Sequence, residues 1–189
     1  GGDDIRGDPS HRDRATARGE QREAREEHDE GQQIPGLHLL AHDPAFPGAR
    51  LDSLREVVVG GARLSEDLHR AWLVRGVRIA PGYGLTEASP NVLYLPPNRG
   101  GDRLGAVGWP YPNVEVRLVG VDGQVVDGPG EGELQVRGPS VFAGYLDDPE
   151  GTAAAFAGDW LRTGDLARRD GDGCFTVVDR LKHIYISGG

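Results

Sequence analysis

The chain has 189 residues, enough for one ordinary domain with a sizeable core, and 37% of them are hydrophobic. Its formal net charge is -9, which argues against a nucleic-acid partner, because such a partner is normally met by a basic face. The 30 glycines and 13 prolines indicate many turns and loops.

Two residue types occur only once and limit the chemistry of the chain: the lysine is Lys182 and the cysteine is Cys174. A single cysteine forms no intrachain disulfide, so a reducing cytoplasm is the expected location. No apolar stretch approaches the length of a membrane span, and residues 1–33 carry no signal-peptide core. No histidine neighbours Cys174 in sequence, which favours a packed side chain over a nucleophile.

The first segment, residues 1–35, is a charged mixture with too little apolar surface to offset the entropy cost of ordering. We therefore expect a disordered tail. A short helix is predicted at residues 37–42, ending before Pro44. His38 and His42 have the spacing of a zinc-binding helix, but no glutamate follows His38, so two solvent-facing histidines are the favoured interpretation.

A strand-helix-strand unit is predicted within residues 36–104, the α/β part of the chain. An apolar run at 54–59 indicates a buried strand, Ser65 has the character of a helix N-cap, and Gly76 that of a helix end. A second apolar strand follows at 77–80. Such a unit makes its two strands parallel, so the turns that follow them emerge at one edge of the sheet.

Both of these turns contain glycines. The first is GGA at residues 60–62, and the second is GYGLTEASP at residues 82–90. In the second turn the glycines let a ligand approach the backbone, and Tyr83 offers a flat face for a heterocycle. Thr86 and Glu87 supply oxygen ligands for a phosphate and Mg²⁺. The pair of turns predicts a nucleotide site. The alternative for the first turn is close packing of helix against strand, and the alternative for the second is ordinary turn chemistry.

Residues 105–181 predict a mostly antiparallel β subdomain. Alternating apolar side chains at 114–119 and 133–137 indicate strands, and a helix is predicted near residues 149–156. The run DGDG at 170–173 resembles a calcium loop superficially. It lacks the glutamate that an EF-hand needs at its twelfth position, and we interpret it as a turn.

Two polar clusters stand out in this subdomain. Asp165 follows a glycine at a predicted strand end, and Asp179 and Arg180 end the last strand. A carboxylate is a natural acceptor for two ribose hydroxyls, and an arginine is a natural donor to a phosphate or ribose oxygen. Without further context, a surface turn at Asp165 and a surface ion pair between Asp179 and Arg180 are the favoured interpretation.

Taken in order along the chain, four motifs resemble those of the adenylate-forming superfamily. They are GGA at 60–62, GYGLTEA at 82–88, TGDLA at 163–167 and VDRLK at 178–182. This superfamily comprises acyl-CoA synthetases, aryl-CoA ligases, beetle luciferases and peptide-synthetase adenylation domains. The resemblance extends from about residue 37 to residue 189 and is strongest to CoA ligases of fatty or related carboxylic acids.

The resemblance implies that these residues surround one AMP molecule. Tyr83 would stack on adenine, and Asp165 would take the ribose hydroxyls. Arg180 would bind ribose or phosphate. At the catalytic centre, Thr86 would contact the α-phosphate and Glu87 would hold Mg²⁺. The other nucleotide-binding residues implied are Gly60, Gly61 and Ala62, which would line the adenine and acyl pocket, and Gly84.

The implied activity is that of an ATP- and Mg²⁺-dependent ligase that joins a small carboxylic acid to CoA. Lys182 would begin a hinge, residues 182–189, before a C-terminal domain. Since Lys182 is the only lysine, the family's phosphate-loop lysine and catalytic lysine are implied to lie outside this chain. We therefore expect a fragment of the large domain that is inactive alone.

Two other functions stay open from the sequence. One is a non-catalytic nucleotide-binding or interaction module derived from the same fold, and the other is a luciferase-like oxygenase. The identity of the acid and the oligomeric state are not predicted.

Overall fold

The computed structural model describes residues 34–62, 64–100 and 103–182, and every structural statement refers to this part of the chain. It has the mixed α/β architecture expected, with one mixed sheet and one antiparallel sheet. The predicted tail and the hinge beyond Lys182 lie outside these ranges, apart from the last two residues of the tail. In the described part, no helix is both long and apolar enough to cross a membrane.

Three of the four helices follow the predicted pattern, and the short helix at Pro97–Gly100 was not predicted. Ser65 caps the second helix, because its side chain accepts a hydrogen bond from the backbone N–H of Leu68 at 3.3 Å. Glu66 and Asp67 lie at the positive end of this helix. The helices are α1 (Pro35–His42), α2 (Glu66–Val74), α3 (Pro97–Gly100) and α4 (Pro149–Ala155), with 3₁₀ turns at Phe46–Gly48 and Thr86–Ala88.

The first sheet has the strand order β1-β2-β3-β4. As predicted, β1 and β2 are parallel, whereas β3 and β4 join the sheet in antiparallel fashion. Apolar side chains of β1 and β2 pack against α1 and α2, and Trp72 of α2 donates an indole hydrogen bond to the carbonyl of Leu37 at 3.4 Å. The strands are β1 (Glu56–Val59), β2 (Arg78–Leu85), β3 (Ser89–Tyr94) and β4 (Trp109–Pro110).

The second sheet is antiparallel, with the order β5-β6-β8-β7 and with β9 paired to β8. It shares a core with the first sheet, because Val92 and Leu93 of β3 pack among its fully buried side chains. This shared core fixes the position of one sheet against the other. The strands are β5 (Glu115–Val119), β6 (Gly130–Arg137), β7 (Phe156–Ala157), β8 (Trp160–Arg169) and β9 (Phe175–Arg180).

The turn DGDG also forms as predicted, between β8 and β9. The Asp170 carboxylate accepts hydrogen bonds from the backbone N–H groups of Asp172 and Cys174, both at 2.9 Å. Cys174 itself is buried, and burial raises the pKa of its thiol. These contacts agree with a turn and with a packed cysteine side chain.

The prediction of a loop over residues 82–90 holds only for the 3₁₀ turn at Thr86–Ala88 and is wrong on both sides of it. The strand β2 continues through the GYG motif to Leu85, and β3 returns antiparallel from Ser89. Gly84 makes this hairpin possible, because a Cβ at that position would overlap the backbone of Pro90. The glycine is therefore required by the close approach of the returning strand, whether or not a ligand is bound.

Candidate nucleotide-binding site

Three of the predicted site residues meet where the two sheets touch. The Tyr83 hydroxyl on β2 donates a hydrogen bond to Asp165 Oδ2 at 2.6 Å. On the other side of the carboxylate, Arg180 Nε lies 2.8 Å from Asp165 Oδ1. Tyr83 and Arg180 are thus joined through the buried carboxylate of Asp165, which lies 82 positions after Tyr83 in sequence.

Asp165 reaches this position because β8 is irregular at its centre. Gln135 of β6 pairs with Arg162, and Glu133 pairs with Leu166, so β8 gains two residues relative to its partner. Within this bulge Gly164 has a φ of +69°, a conformation that favours glycine. The surface turn favoured from sequence at Asp165 is therefore wrong, since the residue lies within β8 and is 3% exposed.

Thr163 fixes the bulge and was not identified from the sequence as a contributor to the site. Its hydroxyl donates to the carbonyl oxygen of Leu134 at 2.7 Å and accepts from the backbone N–H of Asp165 at 3.1 Å. A threonine two residues before the aspartate is the only local signal for this role. The bulge itself depends on pairing with a strand about 30 residues earlier.

Burial governs the electrostatics of the cluster. It raises the pKa of the Asp165 carboxyl group, and the Tyr83 hydrogen bond and the Arg180 charge lower that pKa in part. Burial also raises the pKa of Tyr83, and the adjacent carboxylate raises it further, so the phenol stays protonated and acts as a donor. The Arg180 side chain is 59% exposed and keeps its charge in contact with solvent. Its backbone N–H donates to Asp179 Oδ1 at 2.6 Å.

The glycine turn after β1 lies beside the GYG motif. Val59 is paired with Pro81 at the end of the parallel ladder, and a Cβ added to Gly60 would be 3.4 Å from the carbonyl oxygen of Gly82. Gly61 has a φ of +83° and open space around its Cα. A Cβ at position 60 would thus make only an ordinary van der Waals contact, so packing alone does not require Gly60, whereas the positive φ of an exposed turn accounts for Gly61. Ala62 is half-buried next to them.

Glu87 is held by a loop of the second sheet. Its carboxylate accepts a hydrogen bond from the Tyr145 hydroxyl at 2.9 Å, and its backbone carbonyl accepts one from the N–H of Phe142 at 2.7 Å. The hydrogen bond to Glu87 is the main reason that the pKa of Tyr145 is raised. Tyr145 was not identified from the sequence as a contributor to the site, because its contact joins residues 58 positions apart.

Among the described residues, no hydrogen bond or ion pair joins Thr86, Glu87 or Lys182 to the cluster of Tyr83, Asp165 and Arg180. Thr86 is exposed, and its hydroxyl has no hydrogen-bond partner among the described residues. Lys182 is exposed two positions after Arg180.

Among the residues that the structure describes, no group of three or more His, Cys, Asp or Glu side chains is placed to hold a metal ion. Glu87 could still serve Mg²⁺, because this cation is commonly bound by one or two carboxylates together with substrate phosphates.

The comparison with known proteins agrees with this architecture. The family model described as AMP-binding enzyme matches residues 14–146, so the chain belongs to that family of adenylate-forming enzymes.

The chain is 44% identical over 158 residues to a feruloyl-CoA synthase of Amycolatopsis sp, a match that covers 82% of this chain and 32% of the relative. Among solved structures, the amide bond synthetase McbA from Marinactinospora thermotolerans superposes with a TM-score of 0.71 at 38% identity, covering 79% of this chain and 31% of that one. An o-succinylbenzoate coenzyme A synthetase from Bacillus subtilis, solved with ATP and magnesium, gives 0.70 at 30% identity, covering 83% and 32%. The chain spans about a third of the length of the relatives it matches.

Proposed function

We propose that this chain is the AMP-binding part of an ATP-dependent ligase that joins a carboxylic acid to CoA. The observation that carries the proposal is the contact of Tyr83 and Arg180 with the buried Asp165 carboxylate. A buried carboxylate flanked by an aromatic ring and a guanidinium group provides an acceptor for ribose, a surface for a base and a cation for phosphate. The acid-ligase relatives support the same chemistry.

The proposed reaction has two steps. The carboxylate of the acid attacks the α-phosphate of ATP, which gives an acyl-adenylate and releases pyrophosphate. The thiol of CoA then attacks the acyl carbon and displaces AMP. Negative charge increases on the phosphate oxygens in the first step, so cationic groups and hydrogen-bond donors around the α-phosphate supply the main stabilisation.

Within this scheme each predicted residue has one task. Asp165 accepts the hydrogen bonds of the ribose hydroxyls, and Arg180 donates to a ribose or phosphate oxygen. Tyr83 presents its ring to adenine while its hydroxyl remains bonded to Asp165. Thr86 donates to the α-phosphate. Gly60, Gly61 and Ala62 line the adenine and acyl pocket. Gly84, next to Tyr83 in the chain, is a further nucleotide-binding residue.

Mg²⁺ would be held by Glu87 together with the phosphates of ATP, where it supplies positive charge to the reacting phosphate. The Tyr145 hydrogen bond occupies Oε1 of this carboxylate, which leaves Oε2 for the cation. The phenol therefore positions the carboxylate without blocking it.

The remaining assignments are part of the same proposal. Residues 36–104 form the α/β part and residues 105–181 the β-rich part of one AMP-binding domain, and Lys182 begins a hinge. The acid is a fatty or related carboxylic acid, and the enzyme acts in the cytoplasm, where a lone cysteine stays reduced.

Binding of AMP tests the nucleotide site directly. We expect Arg180→Gln to weaken AMP binding about tenfold in a calorimetric titration, because a charge-assisted hydrogen bond is lost. Arg168→Gln is the matched control: Arg168 is also exposed and ion-paired, to Glu131 at 3.2 Å, but does not contact Asp165. Equal affinities of the two variants, or no AMP binding by the unaltered chain, would contradict the proposed site.

ATP–pyrophosphate exchange tests the reaction separately. We expect no exchange by the 189-residue chain with a panel of fatty and aryl acids, since its single lysine is Lys182. Exchange should appear when the chain is joined to the segments that its relatives possess beyond the matched region. Exchange by the chain alone would show that the expected inactivity is wrong, and failure of the joined protein with every acid would contradict the ligase assignment.

A further inference from the structure

A cavity of about 450 Å³ lies at the other end of β1 and β2 from the candidate nucleotide-binding site. Arg55 directly precedes β1 and Arg78 begins β2, whereas Gly60 and Tyr83 lie towards the opposite ends of these strands. Tyr83 lies five positions after Arg78 along β2, which corresponds to roughly 16 Å. The cavity is therefore a separate feature of the molecule.

Three guanidinium groups line this cavity, from Arg55, Arg75 and Arg78, together with one carboxylate, from Asp52. Arg75 is fixed in place: it donates to the carbonyl oxygens of Pro47 and Ala49, and its guanidinium lies over the ring of Phe46 at 5.6 Å. Backbone carbonyls neutralise no formal charge, so the wall keeps an excess of positive charge.

Arg55 and Arg78 form no side-chain hydrogen bond or ion pair with any residue in the described ranges. Their backbones are joined where β1 and β2 begin, because the N–H of Arg78 donates to the carbonyl of Arg55 at 3.3 Å, and both residues line the cavity. Glu56 lies opposite Arg78 in the ladder of β1 and β2, but its carboxylate accepts a hydrogen bond from the Tyr94 hydroxyl at 3.4 Å and forms no ion pair with Arg78. Neither guanidinium group is therefore bonded to an acidic side chain in the described part of the chain, so its donors are open to a ligand.

We propose that this arginine-lined cavity binds a phosphoryl oxyanion, either free phosphate or the phosphate group of a small metabolite. Guanidinium forks that line one cavity can donate together to the three or more oxygens of one phosphoryl group, whereas a carboxylate has only two oxygens, which one fork satisfies. The volume exceeds the need of a lone phosphate and lies within the range of small-molecule sites. The C-terminal end of α2, at Gly76, brings partial negative charge to the wall, so the affinity must come from the arginines.

The test is a calorimetric titration of the chain at low ionic strength with inorganic phosphate, pyrophosphate and acetate. We expect saturable binding, with pyrophosphate tighter than phosphate and phosphate tighter than acetate. Tighter pyrophosphate binding identifies a phosphorylated metabolite as the natural source, and equal binding of the two identifies free phosphate. Acetate binding as tight as phosphate, or no saturable binding, would overturn the proposal.

Variants locate the site. Arg55→Gln and Arg78→Gln should each weaken phosphate binding about tenfold, since each removes charge-assisted hydrogen bonds. Arg70→Gln makes the same change of charge at an exposed position of α2 outside the cavity and should leave binding unchanged. Arg180→Gln separates the two sites: loss of phosphate binding in this variant would place the anion at the nucleotide site and contradict the inference. Near-equal losses in all four variants would also overturn it, because they would show only a general charge effect.

Discussion

Replacing Gly108 by alanine is expected to lower the free energy of unfolding by about 2–5 kcal/mol. Gly108 has a φ of +90°, a conformation that costs an L-residue about 1–2 kcal/mol. An added Cβ would also overlap the carbonyl group of Tyr94, and overpacking against backbone costs about 1–3 kcal/mol. Since a domain of this size has roughly 5–15 kcal/mol of stability, the loss would be a large part of the total.

The reason for this sensitivity is the place of Gly108 between the two sheets. Its carbonyl accepts a hydrogen bond from the N–H of Phe175 at 2.8 Å, and the N–H of Val107 donates to the carbonyl of Phe175 at 2.8 Å. The next residue, Trp109, is paired with Tyr94 in the first sheet. A shift at Gly108 would therefore disturb β4 of one sheet and β9 of the other together.

Urea denaturation followed by tryptophan fluorescence measures this effect. Gly173→Ala is the matched control, because Gly173 also has a positive φ, +75°, but no atom lies within 4 Å of the added Cβ. In the control, the free energy of unfolding should fall only by the cost of the positive φ, about 1–2 kcal/mol. Equal losses in both variants would show that the close approach to Tyr94 contributes nothing to stability.

The elements that the sequence predicted well are those specified by neighbours in the chain. The Ser65 cap and the alternating residues of β5 and β6 act within a few positions, and each formed near its expected bounds. Membership of the adenylate-forming family was also predicted correctly, because the order of several short motifs is far more specific than any one of them.

The parts of the site that could not be predicted depend on long-range pairing. The extension of β2 through the GYG motif needs Pro90 to return against Gly84, and the burial of Asp165 needs a bulge opposite Leu134. Tyr145 meets Glu87 across 58 positions of sequence. Periodicity and turn chemistry describe short segments only, so they placed Asp165 on the surface and gave Tyr145 no role.

Asp165→Asn is expected to weaken AMP binding by roughly 10- to 100-fold, because charged acceptors contribute about 1.5–3 kcal/mol to hydrogen bonds. The same variant should change the free energy of unfolding by less than about 1 kcal/mol, since burial of the carboxylate charge is itself unfavourable and asparagine keeps an acceptor for Tyr83. A separation of binding from stability is what a ligand site predicts.

Asp165→Ala provides the structural comparison, because it leaves the Tyr83 hydroxyl without its acceptor. It should lose AMP binding as well and, in addition, about 1–3 kcal/mol of stability. If Asp165→Asn destabilised the fold as much as Asp165→Ala and left AMP binding unchanged, Asp165 would be a structural link between the sheets and no part of a nucleotide site.

The pH dependence follows from the raised pKa of Asp165. The folded carboxyl group takes up a proton at a higher pH than the unfolded one. The contribution of this group to stability therefore falls as the pH rises from the ordinary pKa of an aspartate through the raised pKa of Asp165. AMP binding should change in the opposite sense, because ribose is bound by the ionised carboxylate, and affinity should fall as the pH drops through the same interval. Parallel titrations of binding and stability with wild type and Asp165→Asn would reveal both trends, and both should disappear in the variant. Persistence of either trend in Asp165→Asn would assign it to a different titrating group.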